Sequence, residues 1–135
     1  MRNIPVYPNA ADAKDALNMN ALVLAFIGDA LMTLCVRTDA ALGSARKSGA
    51  LQKETAGIVN ARAQAAAAAE ILPFLGEDER AVYMRARNGK TKNTAKNAAV
   101  SEYRNATGLE AVIGFLYVTG KSARIEELFS ARSSF

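Results

Sequence analysis

The chain has 135 residues, half of them hydrophobic and 22% charged, with a formal net charge of +4. This is one domain's worth of chain with an ordinary globular balance, and a second binding module is not expected. Histidine is absent and Cys35 is the lone cysteine. Imidazole acid–base chemistry, histidine-held zinc, Ser-His or Cys-His dyads and an internal disulfide are therefore excluded, and a reducing, cytoplasmic setting is expected.

With 28 alanines, 3 prolines and little strand-like alternation, the composition predicts an all-α fold. Residues 1–18 are expected to begin as an extended arm and serve as a short lead-in, because Pro5 and Pro8 disfavour helix, and they lack the apolar core of a signal peptide. Asn20 is placed to cap a long helix over about 20–42, which Gly43 ends. That helix holds the longest apolar run, Ala21 to Cys35. The run is shorter than the ~20 residues of a membrane span and has Asp29 inside it. It is apolar on every face and is expected to be a buried core helix, with no membrane involved. A second helix is predicted over about 45–72, bent near Gly57, thin along Ala65–Ala69 and stopped by Pro73 and Gly76. Glu77, Asp78 and Glu79 put negative charge in the first turn of a third helix, which runs to Arg87. Residues 88–97 read as a loop. A fourth helix follows over about 98–118, stopped by Gly120. The last, about 121–132, carries Ile125, Leu128 and Phe129 on one side. No repeat or linker divides residues 1–135.

Charge is unevenly spread. From Arg80 to Arg104 there are seven basic residues and one acidic residue, Glu102, so this stretch carries +6 and the remainder −2. Such a block suits a polyanion, and a plain solvated face fits its composition equally well. Arg85, Arg87, Lys90, Lys92 and Lys96 are the candidate backbone contacts for a nucleic acid, with Lys96 nearest the fourth helix.

Two carboxylates sit in apolar surroundings. Asp29 lies within Leu24-Ala25-Phe26-Ile27-Gly28-Asp29-Ala30. Glu110 opens Glu110-Ala111-Val112-Ile113-Gly114-Phe115-Leu116-Tyr117. A carboxylate there costs several kcal/mol unless it is paired, hydrogen-bonded, protonated or bound to metal. Gly28 and Gly114 each cost about 1 kcal/mol in a helix relative to alanine. Their benefit is expected to be close backbone packing that brings the carboxylates together. Two hard anionic oxygens on facing helices suit Mg²⁺. Structural alternatives stand beside this: Asp29 paired with a buried base such as Lys96, and Glu110 closing a capping box with Thr107.

The same residues resemble a known family. The Leu24–Ala30 block is similar to the signature helix of the ribonuclease III domain, and Leu109–Tyr117 to its second acidic motif. Ala81–Asn88 and Lys96–Gly108, with Tyr103-Arg104-Asn105-Ala106-Thr107-Gly108, resemble the Mini branch of that family. So does the lack of a double-stranded-RNA-binding module. The four blocks keep their order and spacing across about residues 18–130. The resemblance implies an all-α, ribonuclease III-type endonuclease domain that acts as a homodimer. It implies Mg²⁺-dependent hydrolysis of double-stranded RNA to 5′-phosphate and 3′-hydroxyl ends, with precursor 23S ribosomal RNA as the substrate. A ribosomal protein presenting the RNA is a further partner it allows. Asp29 and Glu110 match the family's metal-binding, catalytic pair. Leu22, Ala25 and Thr107 stand where full-length ribonuclease III has carboxylates, a thinning the Mini branch shares. Phe26 matches an aromatic that inserts into the partner at the two-fold interface; a plain intrachain core residue is the competing role. Two other functions remain: a non-catalytic RNA-binding or ribosome-assembly scaffold of the same fold, and a helical protein-interaction module. Retention of both carboxylates speaks against the first, and the +6 block against the second.

Overall fold

The structure, a computed structural model, describes residues 4–43, 61–89 and 98–131. Among them the elements are α1 (Ala13–Leu17), α2 (Ala21–Leu42), α3 (Ala61–Ile71), a 3₁₀ turn (Leu72–Phe74), α4 (Glu77–Arg87), α5 (Ala98–Val118) and α6 (Ser122–Ser130). No strand occurs among the described residues, as an alanine-rich, proline-poor chain predicts. Most of the predicted loop at 88–97, and the part up to residue 60 of the helix predicted over about 45–72, lie outside the described residues.

Local chemistry sets the helix ends. The Asn20 side chain accepts from the Leu22 N–H at 2.8 Å and starts α2. Gly76 precedes α4, and the Glu79 carboxylate reaches back to the Gly76 N–H at 2.8 Å. Gly120 ends α5 with φ +74°. There the Lys121 N–H donates to the Leu116 carbonyl and the Gly120 N–H to that of Tyr117, a Schellman closure that favours glycine. After the proline-bearing start, Asp12 caps a short helix, α1, that sequence reading did not anticipate. The extended part before it is tied down. Ile4 is buried, the Ala11 N–H donates to the Val118 carbonyl at 2.7 Å, and the Ser122 hydroxyl donates to the Pro5 carbonyl at 3.2 Å.

Helix α5 is the centre of the fold, and α1, α2, α3, α4 and α6 all pack on it. Its Val112, Ile113, Phe115 and Leu116 are fully buried, beside Leu24 and Met32 of α2, Ile71 of α3, Val82 of α4 and Ile125 of α6. The thin face of α3 is real: Ala65, Ala67 and Ala68 are buried.

Helix α2 departs from expectation. It is long and apolar enough to cross a membrane by length and composition, yet only one side of it is buried. Ala21, Leu24, Ala25, Gly28, Leu31, Met32, Cys35 and Val36 follow the helical period into the core. Leu22, Val23, Phe26 and Leu34 face outward, Phe26 at 79% exposure. Uniform apolarity hides this asymmetry, because no change of polarity marks which face meets α5.

A buried ion pair fastens the C-terminal helix. Arg124 meets both oxygens of Glu79 at 2.8 Å, and it also donates to the Phe74 carbonyl and to Glu127. The guanidinium holds the Glu79 carboxyl below its ordinary value. A lowered folded value means stabilisation that is complete above the ordinary 4.5 and lost as pH falls through the folded value. Glu79→Gln is therefore expected to lower stability by about 2 kcal/mol near neutral pH, in thermal or urea melts, with the gap to the parent closing below about pH 4.

Candidate active site

Two helix backbones meet at two glycines. A Cβ on Gly28 would collide with the Glu110 carbonyl, and one on Gly114 with the carbonyl of Leu24. Leu24 lies against Gly114 and Gly28 against Glu110, so α2 and α5 run antiparallel across this seam. Any larger residue forces them apart, which offsets the usual helical cost of glycine.

The seam places Asp29, next to Gly28, against Glu110. The Asp29 side chain is close enough to act on the Glu110 carboxyl. Burial raises the Glu110 carboxyl to about 8, and the neighbouring Asp29 adds to the rise. Glu110 is half-buried while Asp29 is exposed, so the pair opens toward solvent. Two neighbouring carboxyls that disfavour each other's charge suit a cation, and the donor set is hard oxygen. These residues fit a divalent ion such as Mg²⁺. Among the described residues no group of three or more Asp, Glu, Cys or His side chains could hold a metal. The remaining ligands would come from water and substrate.

The structural alternatives divide. Helix α5 runs unbroken from Ala98 to Val118, so Thr107 caps nothing; its hydroxyl donates to the Tyr103 carbonyl at 2.9 Å. Lys96, the suggested base for Asp29, lies outside the described residues, as do Lys90 and Lys92. Arg85 is exposed on the last turn of α4. Arg87 is half-buried; its Nε donates to Asn105 Oδ1 at 2.9 Å and its Nη1 to Asn88 Oδ1 at 3.2 Å. Phe26 projects from the outer face of α2 and contributes nothing to the intrachain core.

Sequence reasoning passed over Tyr83 and Asn105. Tyr83 is buried against Gly108, where a Cβ would meet its ring at 2.7 Å, and its hydroxyl reaches Asn105 at 3.3 Å. The available signal was Tyr83 and Arg87 one turn apart on α4, opposite a glycine inside α5.

The matches to known proteins follow the same residues. A family model of the ribonuclease III domain matches residues 22–121. The chain is 44% identical over 109 residues to Mini-ribonuclease 3 of Brevibacillus brevis, covering 81% of each. It is 42% identical over 118 residues to Mini-ribonuclease 3 of Clostridium tetani, covering 85% of this chain and 77% of the other. A crystal structure of a protein from Fusobacterium nucleatum has the same fold, with a TM-score of 0.74 and 33% identity over 84% of this chain and 90% of that one.

The raised Glu110 value has a thermodynamic consequence. Without metal, the folded state keeps a proton between pH 4.5 and about 8 that the unfolded state has lost. Stability is then greatest below that window and falls as pH rises through it, by up to roughly tenfold in the folding equilibrium per pH unit. Glu110→Gln cannot ionise and should flatten this decline in urea melts run in EDTA. An unchanged slope in that variant would place the titration elsewhere.

Proposed function

Because this chain belongs to the ribonuclease III family, on its Mini-ribonuclease 3 branch, we propose that it is a Mg²⁺-dependent endoribonuclease that hydrolyses double-stranded RNA to 5′-phosphate and 3′-hydroxyl ends. One observation carries this reading: the Asp29 and Glu110 carboxyls face each other across a glycine seam that opens to solvent. The same pair favours an enzyme over a non-catalytic scaffold, since a scaffold has no use for a half-buried carboxyl set beside a second one.

Asp29 and Glu110 would hold the ion, and Glu110 must first give up its proton. When bound, Mg²⁺ supplies Lewis-acid polarisation of the phosphodiester and lowers the pKa of an attacking water. The chain's own part is positional. Gly28 and Gly114 fix the two backbones, so neither carboxyl can retreat. Exposed Asp29 lets a duplex approach without rearrangement of the core. Two protein ligands leave much of the ion's shell to water and phosphate oxygens, so metal and RNA should strengthen each other's binding. Arg85, Arg87, Lys90, Lys92 and Lys96 would supply phosphate contacts, which give affinity more than sequence choice.

The outward face of α2 is assigned to a second copy of the chain. Leu22, Val23, Phe26 and Leu34 form an exposed apolar stripe that continues from the Asp29 turn, and Phe26 would be its anchor. A two-fold dimer along this stripe sets two identical sites side by side, one for each strand of a duplex. The substrate assigned is precursor 23S ribosomal RNA in the cytoplasm, with a ribosomal protein presenting it.

Asp29→Asn and Glu110→Gln are expected to keep the helical circular-dichroism spectrum and to lose discrete cutting of duplex RNA in Mg²⁺, matching the parent protein in EDTA. Normal cutting by either variant removes that residue from the chemistry. Phe26→Asp is expected to shift sedimentation equilibrium from twice the chain mass to 14.3 kDa; an unchanged dimer would place the interface on another face.

A further inference from the structure

Two arginines in this fold are held in opposite ways. Arg124 is fixed by carboxylates, Glu79 and Glu127, so its charge is spent inside the protein. Arg87 is fixed by neutral amides, Asn105 Oδ1 at 2.9 Å and Asn88 Oδ1 at 3.2 Å. Among the described residues no carboxylate pairs with it. The oxygen that receives Arg87 also accepts the Tyr83 hydroxyl at 3.3 Å, and the Arg87 charge acts on the Tyr83 phenol. Tyr83 itself is wedged against Gly108, so Asn105 cannot drift. The guanidinium is thereby aimed without being neutralised, at the C-terminal end of α4. Asn105 stands five residues before Glu110 on α5, about 7.5 Å along the helix axis and about 140° around it, on the face that meets α4 rather than the one that meets α2.

We propose that Asn105 is a positioning residue for RNA: it holds the Arg87 guanidinium in a fixed direction through a neutral acceptor, keeping the full charge for a backbone phosphate. The proposal rests on the duplex-RNA reading above. Its physical advantage is preorganisation. A free arginine loses rotamer entropy when it meets a phosphate, whereas a guanidinium already held at Nε presents its remaining N–H groups with less to lose.

The test uses the full chain in EDTA, so that RNA stays intact, and fluorescence anisotropy of a labelled duplex across a salt series. Asn105→Asp keeps an acceptor for both Tyr83 and Arg87 and should melt at or above the parent temperature. It spends the Arg87 charge, and so should weaken RNA binding roughly tenfold and reduce the slope of log K against log salt by about 1. Arg87→Lys keeps the charge but loses the Nε anchor; it should weaken binding several-fold with the slope retained. In an Arg87→Ala background, Asn105→Asp should cost nothing further. Parent-like affinity and slope in Asn105→Asp, or an equal loss with Arg87 absent, overturns the proposal while leaving the RNA reading intact. Absence of salt-dependent binding by the parent protein overturns both.

Discussion

The contact between the backbones of α2 and α5 at Gly28 and Gly114 governs the rest of the structure. Helices normally pack with axes 8–10 Å apart because side chains intervene. Here a glycine on each helix removes those side chains where the two cross, and each backbone reaches a carbonyl of its neighbour. Residues beside the glycines are drawn in with them. Asp29 and Glu110 are adjacent for that reason, at the cost of a Glu110 carboxyl raised to about 8. The unfavourable electrostatics are local. The surrounding core, with Leu24, Met32, Val112, Ile113 and Leu116 all but inaccessible, supplies the apolar burial that holds like-charged groups together.

Around this seam the protein uses its charged residues in two registers. At the α4–α6 edge, Glu79, Arg124 and Glu127 neutralise one another and fasten the last helix to the first turn of α4. At the opposite end of α4, Arg85 is exposed and Arg87 is steadied by amides alone. The basic end of α4 adjoins the stretch that brings Lys90, Lys92 and Lys96. Composition averages these two edges into a net charge of +4, a value that describes neither. A polyanion meets the basic edge, not the mean.

Helix α2 divides its work between its faces. The inner face is core. The outer face carries exposed Val23, Phe26 and Leu34, Phe26 most of all. An exposed apolar stripe beside a pair of solvent-facing carboxyls means that anything docked on the stripe borders the site. Phe26 and Asp29 stand one turn of helix apart, so the proposed interface and the proposed site adjoin.

Sequence alone determined the helical class and the boundaries of α2, α4 and α5 to within about a residue, and it offered the meeting of Asp29 with Glu110 through glycines as one reading beside structural ones. These follow from short-range rules: caps, proline and glycine stops, the helical period, and the cost of a carboxylate or glycine where neither belongs. The short helix α1 was missed because two prolines dominate the pattern before it and a single Asp12 cap is a weak signal. Whether Thr107 began a helix or sat inside one turned on Tyr103 and Ala106 continuing the helix before it, which spacing cannot decide. Only the tertiary structure decided which side of α2 is buried, since a helix apolar all round carries no directional mark until a partner helix chooses a face. Only it showed that Arg87 is held by Asn105 and Tyr83 while Arg124 is held by carboxylates. Partners 18, 22 and 45 residues apart in sequence are fixed by packing on α5, and no local pattern records them.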